Sequence, residues 1–158
     1  MTDQKTLPPR SPGFVDQAYA YDPVAQPQLF AGVIGKRSVA FIIDAIIVLA
    51  LVFLFGIVTL GLGWVLLPAI FLVFLAYNAL TIGGSKSATL GQRLMGLEVR
   101  MWYGGKVSPL IAAFHALLFW FAASTFVLWL VNVMWAFFDS RKRCTHDIFA
   151  GLVAINRA

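Results

Sequence analysis

Three long apolar runs, separated by short polar stretches, set the pattern of the chain. Ser38 to Leu60 gives 23 residues with a single charge, Asp44. Gly61-Leu62-Gly63 reads as a tight turn, and Trp64 to Ile82 follows as 19 residues with no charge. Each run is long enough to span a hydrocarbon core of ~30 Å as a helix. Pro68 falls in the first turns of the second helix, where its missing N–H is tolerated. Trp64 and Tyr77 are candidate interface anchors. The expected fold is therefore an all-α integral membrane protein built on a transmembrane hairpin over 38–60 and 64–82.

The third run, Pro109 to Phe138, has 30 residues and no formal charge. A straight helix of that length would measure ~45 Å, more than one span needs. Two helices of half the length would each reach only ~21 Å. Either one kinked span, preceded by a surface helix, or a thin helical hairpin turning near Ala122 to Thr125 fits. The basic Arg141-Lys142-Arg143 that follows favours the hairpin, because it then stays on the inner side.

Between the second and third runs, residues 83–107 carry Lys86, Arg93, Glu98, Arg100 and Lys106. Leu90, Leu94 and Leu97 recur at helical spacing. Leu97, Val99 and Met101 then alternate with Glu98, Arg100 and Trp102 ahead of Tyr103-Gly104-Gly105, which predicts a short strand and a turn. This segment is placed on the cytoplasmic membrane surface. Residues 1–30 hold five of the seven prolines and no apolar period, which predicts a flexible N-terminal tail ahead of a membrane domain over 31–155.

Composition sharpens the membrane reading. Sixty per cent of the residues are apolar and only 12% are charged, against about a quarter charged in a typical soluble domain. A chain of 158 residues cannot hide that much apolar surface from water. The net charge of +5 does not point to nucleic acid, because the basic residues flank the apolar runs. The 61–63 loop has no Lys or Arg, whereas Lys36 and Arg37 abut the first run, which predicts a cytoplasmic N-terminus. One cysteine and two histidines are too few for a standard zinc site, and the Cys144-x-His146 pair reads as incidental. No cofactor, no metal and no enzymatic activity are expected. The partners expected are the lipid bilayer and a second copy or another membrane protein.

Of the nineteen charged residues, only Asp44 lies well inside an apolar run. A charged Asp at mid-helix costs about 2.5–3.5 kcal/mol on insertion scales, so such residues find partners. It follows Arg37 by seven residues, nearly two turns, which puts both on one helix face ~10 Å apart. Two readings stand: an ion or proton site, and a polar lock that holds helices together. Asn78 and Asn132 suit hydrogen bonding between helices. His115 and His146 are secondary candidates.

Lys36-Arg37-Ser38-Val39-Ala40-Phe41-Ile42-Ile43-Asp44 resembles the opening helix of the RDD family of membrane proteins, named for one Arg and two Asp. Thr89-Leu90-Gly91-Gln92-Arg93-Leu94-Met95-Gly96-Leu97-Glu98-Val99 resembles its central segment. Arg141 through Gly151, with His146-Asp147, resembles its closing element. The resemblance implies the signature Arg37, Asp44 and Asp147, a multi-pass location in the bacterial inner membrane, and a transport or cation/proton-exchange role; the alternative is a non-transport assembly or accessory protein in which the three residues form a structural polar lock. Under the first, Asp44 would take the ion, Arg37 would tune it, and Asp147 would pair with Arg37. His115 stands where members often carry an Arg, and Glu98 where a basic or polar residue is common.

Overall fold

A computed structural model describes residues 20–65 and 68–157. Helix α1 runs from Val33 to Val58. It starts five residues before the apolar run, because Gly32 takes a left-handed conformation at its N-cap. At 26 residues it is ~39 Å long, and together with the turn before it is apolar and long enough to cross a bilayer. Leu60 and Gly61 then take positive φ and turn the chain. A single turn, α2 (Leu62–Val65), precedes α3 (Pro68–Ile82).

The polar segment folds into α4 (Leu90–Leu94) and strand β1 (Leu97–Met101). Thr89 caps α4 with a capping box, its hydroxyl accepting from Gln92 N while Gln92 Oε1 accepts from Thr89 N. The alternation anticipated over 97–101 is visible in β1, where Leu97, Val99 and Met101 are buried and Glu98 and Arg100 are half-buried.

The third apolar run is two helices, α5 (Pro109–Ala123) and α6 (Phe126–Phe138). Ser124 closes α5, and the Thr125 side chain caps α6 by accepting from Leu128 N. A serine and a threonine thus break the run without glycine or proline. The chain returns through α7 (Thr145–Ala150) to strand β2 (Leu152–Asn156).

β2 pairs antiparallel with β1, Leu97 opposite Asn156 and Met101 opposite Leu152. The all-α expectation therefore holds for the body of the fold but not for this two-stranded sheet. β2 gave no alternating signal because it is covered on both sides. Leu152 and Ala154 join Val33, Ile82, Leu97, Val99 and Ala112 in the main core, and Val153 and Ile155 pack with Phe30. Residues 20–30 likewise depart from the predicted tail. Pro27–Leu29 form a 3-10 turn, Asn156 Nδ2 donates to Gln28 O and Ala31 O, and Arg141 Nε donates to Tyr21 O. The rest of the predicted tail, 1–19, lies outside the described residues.

The main core gathers where the helix ends meet the sheet. Elsewhere the helices carry apolar side chains outward, among them Ile46, Leu49, Phe53, Val127 and Phe138. Water would penalise that exterior heavily, and lipid would not.

Candidate functional site

Two polar constellations sit at the sheet end of the helices, each anchored on α1. The first is built on Asp44. Its Oδ1 accepts from Tyr77 Oη of α3 (2.6 Å) and from Gly91 N of α4 (2.7 Å). Its Oδ2 accepts from Thr89 Oγ1 (2.5 Å). Tyr77 is thus a buried donor within the fold rather than an interface anchor. Gly91 is required by close approach, since a Cβ there would lie 2.2 Å from the Ala40 carbonyl oxygen of α1. The glycine lets α4 lie directly on the α1 backbone, and the carboxylate holds it there.

The second is built on Arg37 and Asp147. Arg37 Nη1 donates to Asp147 Oδ2 at 2.5 Å, and the same oxygen accepts from Cys144 N at the start of α7 (2.8 Å). Asp147 Oδ1 faces two imidazoles, with His115 Nε2 of α5 at 2.8 Å and His146 Nε2 at 3.4 Å. The two rings lie against each other, centroids 4.6 Å apart. His146 Nδ1 meets Asn132 Oδ1 of α6 at 2.7 Å, an oxygen that also accepts from the Thr145 hydroxyl and from His146 N. Four helices thus converge on one buried ion pair.

Burial alone would raise the Asp147 carboxyl, but the Arg37 guanidinium, with the hydrogen bond from His115, holds it well below the usual carboxylate range. Burial pushes the His146 ring down to about 3, against the pull of Asp147. Burial likewise pushes the Cys144 thiol up to about 11, so it stays protonated.

The structure therefore brings Arg37, His115, His146 and Asp147 together and sets Asp44 apart with different partners. The shared helix face of Arg37 and Asp44 is real, since both line one cavity of about 640 Å³ between α1, α3, α5 and α6. Its walls are apolar, with Phe74, Phe119, Trp120 and Trp129 prominent. Asn78, expected to bond between helices, instead donates to Phe74 O within α3 (2.9 Å). The sequence marks neither Thr89 nor Gly91 as a site residue, and marks Tyr77 only as an interface anchor. The Thr89-Leu90-Gly91 motif was the one available signal for the first two.

The RDD family model matches residues 31–151. This chain belongs to the RDD family. No curated protein and no solved structure matches the chain. The match covers both constellations, so the protein is a mostly helical RDD membrane protein. Within the matched residues Arg37 and Asp147 form one ion pair, and Asp44 forms a separate anchor.

Proposed function

We propose that this RDD protein is a non-transport assembly or accessory component of the bacterial cytoplasmic membrane, without enzymatic activity, in which Arg37, Asp44 and Asp147 are structural polar locks. One observation carries this reading: Asp44 already accepts three hydrogen bonds, from three residues on two separate segments. A carboxylate must release such donors before it can carry an ion or a proton through a cycle. Hydrogen bonds to a charged group are worth about 1.5–3 kcal/mol each, so the exchange is costly.

The chain crosses the membrane with both ends on the cytoplasmic side. Lys36, Lys86, Arg93, Lys106 and Arg141 belong to the end that carries the sheet, which suits the cytoplasmic face. The α5–α6 hairpin supports the same arrangement. His115, midway along α5, and Asn132, midway along α6, meet the same short helix α7, as two arms of one hairpin lying side by side would. The apolar exterior offers a face for lipid and for a second copy or another membrane protein.

Cation/proton exchange is the second reading. Its support is that buried His115 Nδ1 and Asn132 Nδ2, on side chains lining the cavity, have no hydrogen-bond partner among the described residues. Reconstituted vesicles separate the two. Under the lock reading, wild-type vesicles show no Na⁺- or K⁺-dependent proton flux above empty vesicles, and Asp44→Asn lowers the amount of folded protein in the membrane. Wild-type flux that Asp44→Asn abolishes at equal abundance would overturn it.

A further inference from the structure

The contacts around His146 contain an electrostatic mismatch that a cation resolves. Asn132 Oδ1 accepts from His146 N (3.1 Å), and a backbone N–H can only donate. That fixes the amide orientation, so the His146 Nδ1 lying 2.7 Å from the same oxygen carries the ring proton. In the neutral ring, Nε2 is then a lone pair. It lies 3.4 Å from Asp147 Oδ1, a second lone-pair atom, in a setting where both residues are more than nine-tenths buried. His115 Nε2 lies 2.8 Å from that same oxygen.

We propose that His115 Nε2, His146 Nε2 and Asp147 Oδ1 bind a divalent transition-metal ion of the zinc class. The three atoms lie within 4.8 Å of one another. Ligands at ~2.0–2.1 Å from a tetrahedral ion stand about 3.3 Å apart; His146 Nε2 and Asp147 Oδ1 at 3.4 Å match that separation, and His115 Nε2, hydrogen-bonded to the same oxygen at 2.8 Å, moves out by roughly 0.5 Å to admit the ion. Imidazole nitrogen selects Zn²⁺, Co²⁺, Ni²⁺ or Fe²⁺ over Mg²⁺ and Ca²⁺, which prefer oxygen.

The surroundings have the form that metal ligands usually need. Asn132 orients His146 through its distal nitrogen, and Arg37 with Cys144 N orients Asp147 through its distal oxygen. His115 departs from that form: its distal nitrogen, Nδ1, is buried with no partner among the described residues, so its ring is held by packing and by the proposed ligand nitrogen alone. Arg37 already balances Asp147, so a divalent ion adds positive charge to an apolar setting. An anion in the fourth position, hydroxide or the anionic end of a small molecule, offsets one of its two charges. Both imidazoles line the cavity, which gives that ligand its route. The Cys144 thiol is not part of the set. The inference goes beyond the lock reading and stands or falls separately from it.

The full chain, purified in detergent with a tag free of histidine and stripped with chelator, is titrated with Co²⁺ and Zn²⁺. The wild type is expected to bind one ion per chain, with a visible Co²⁺ absorption band and a rise in thermal midpoint. His115→Ala and His146→Ala are expected to lose that stoichiometry. Asn132→Leu should keep one ion with affinity weakened ~10–100-fold. His115→Gln keeps the side-chain volume and a donor for Asp147 while removing the ligand nitrogen, and it serves if the Ala variant does not fold. A wild type that binds no stoichiometric metal overturns the site, as does binding that survives unchanged in the histidine variants.

Discussion

Replacing Asp44 in graded steps measures its lock. Tyr77 Oη and Gly91 N both donate to Oδ1, and Thr89 Oγ1 donates to Oδ2. Asp44→Asn keeps one carbonyl oxygen, enough for Tyr77 and Gly91, and loses the acceptor for Thr89. A charge-assisted bond is worth about 1.5–3 kcal/mol when buried. Asp44 is only half-buried, and hydrogen bonds within membrane bundles average ~0.6 kcal/mol, so the expected cost of Asn is about 1 kcal/mol. Asp44→Leu removes all three acceptor contacts and orphans a phenol, a hydroxyl and a backbone N–H. At ~1–3 kcal/mol per orphan, with the same discount, the expected cost is about 3–5 kcal/mol.

The choice of assay matters, because Asp also costs about 2.5–3.5 kcal/mol to insert and Leu removes that cost. A measurement that starts from inserted but unfolded chain, such as steric trapping in bilayer discs, cancels the insertion term and isolates the lock. Tyr77→Phe, which deletes one donor, should cost ~1 kcal/mol by the same measure. If Asp44→Leu is no less stable than wild type, or Asn costs as much as Leu, the three contacts are not holding the fold and the reasoning fails.

Three further outcomes follow from the same geometry. Arg37→Met leaves the Asp147 carboxylate buried without its ion partner, and should destabilise by about 3 kcal/mol in the same unfolding assay, with Arg37→Met/Asp147→Leu regaining most of it. His146 is held at about 3, below the ~6.5 of an unfolded histidine, so its neutral-state stabilisation is complete above pH 6.5 and is lost as pH falls from there toward 3. In chelator, wild-type stability should drop by up to ~1.4 kcal/mol per pH unit across that window, and His146→Gln should flatten the slope. For topology, Cys144 is too buried to report. In a Cys144→Ser background, impermeant maleimide should label Leu60→Cys from outside intact cells, and reach Lys86→Cys and Arg157→Cys only after the membrane is opened; external labelling of Arg157→Cys would refute the placement of the C-terminal end.

Periodicity and charge placement made the helical body readable, because each apolar run reports its own burial in lipid. The break at Ser124-Thr125 was only half visible, since capping by a threonine side chain leaves no glycine or proline in the sequence. β2 was invisible for a different reason: Leu152 and Val153 are both fully buried, on opposite faces, so period-2 alternation is absent. The donors to Asp44 lie 33 to 47 residues away in sequence, and no local rule links them. The seven-residue spacing correctly placed Arg37 and Asp44 on one face. It did not warrant a shared site, because ~10 Å of helix rise separates them and each finds nearer partners.

That separation gives the two anchors a common purpose. Asp44 fixes α4, and three residues beyond α4 the chain enters β1 at Leu97. Arg37 fixes α7 through Asp147, and two residues beyond α7 the chain enters β2 at Leu152. Each of these two carboxylates therefore secures the short helix that delivers one strand, and the strands then pair with each other over Leu97–Met101 and Leu152–Asn156. Sites this far apart normally contribute additively. Here losing either anchor frees one strand and weakens what the other anchor was holding. Arg37→Met combined with Asp44→Leu should accordingly cost less than the sum of the single variants, by more than ~0.5 kcal/mol in a double-mutant cycle. Strict additivity would mean that the anchors act on independent elements and that the sheet is not what they jointly support.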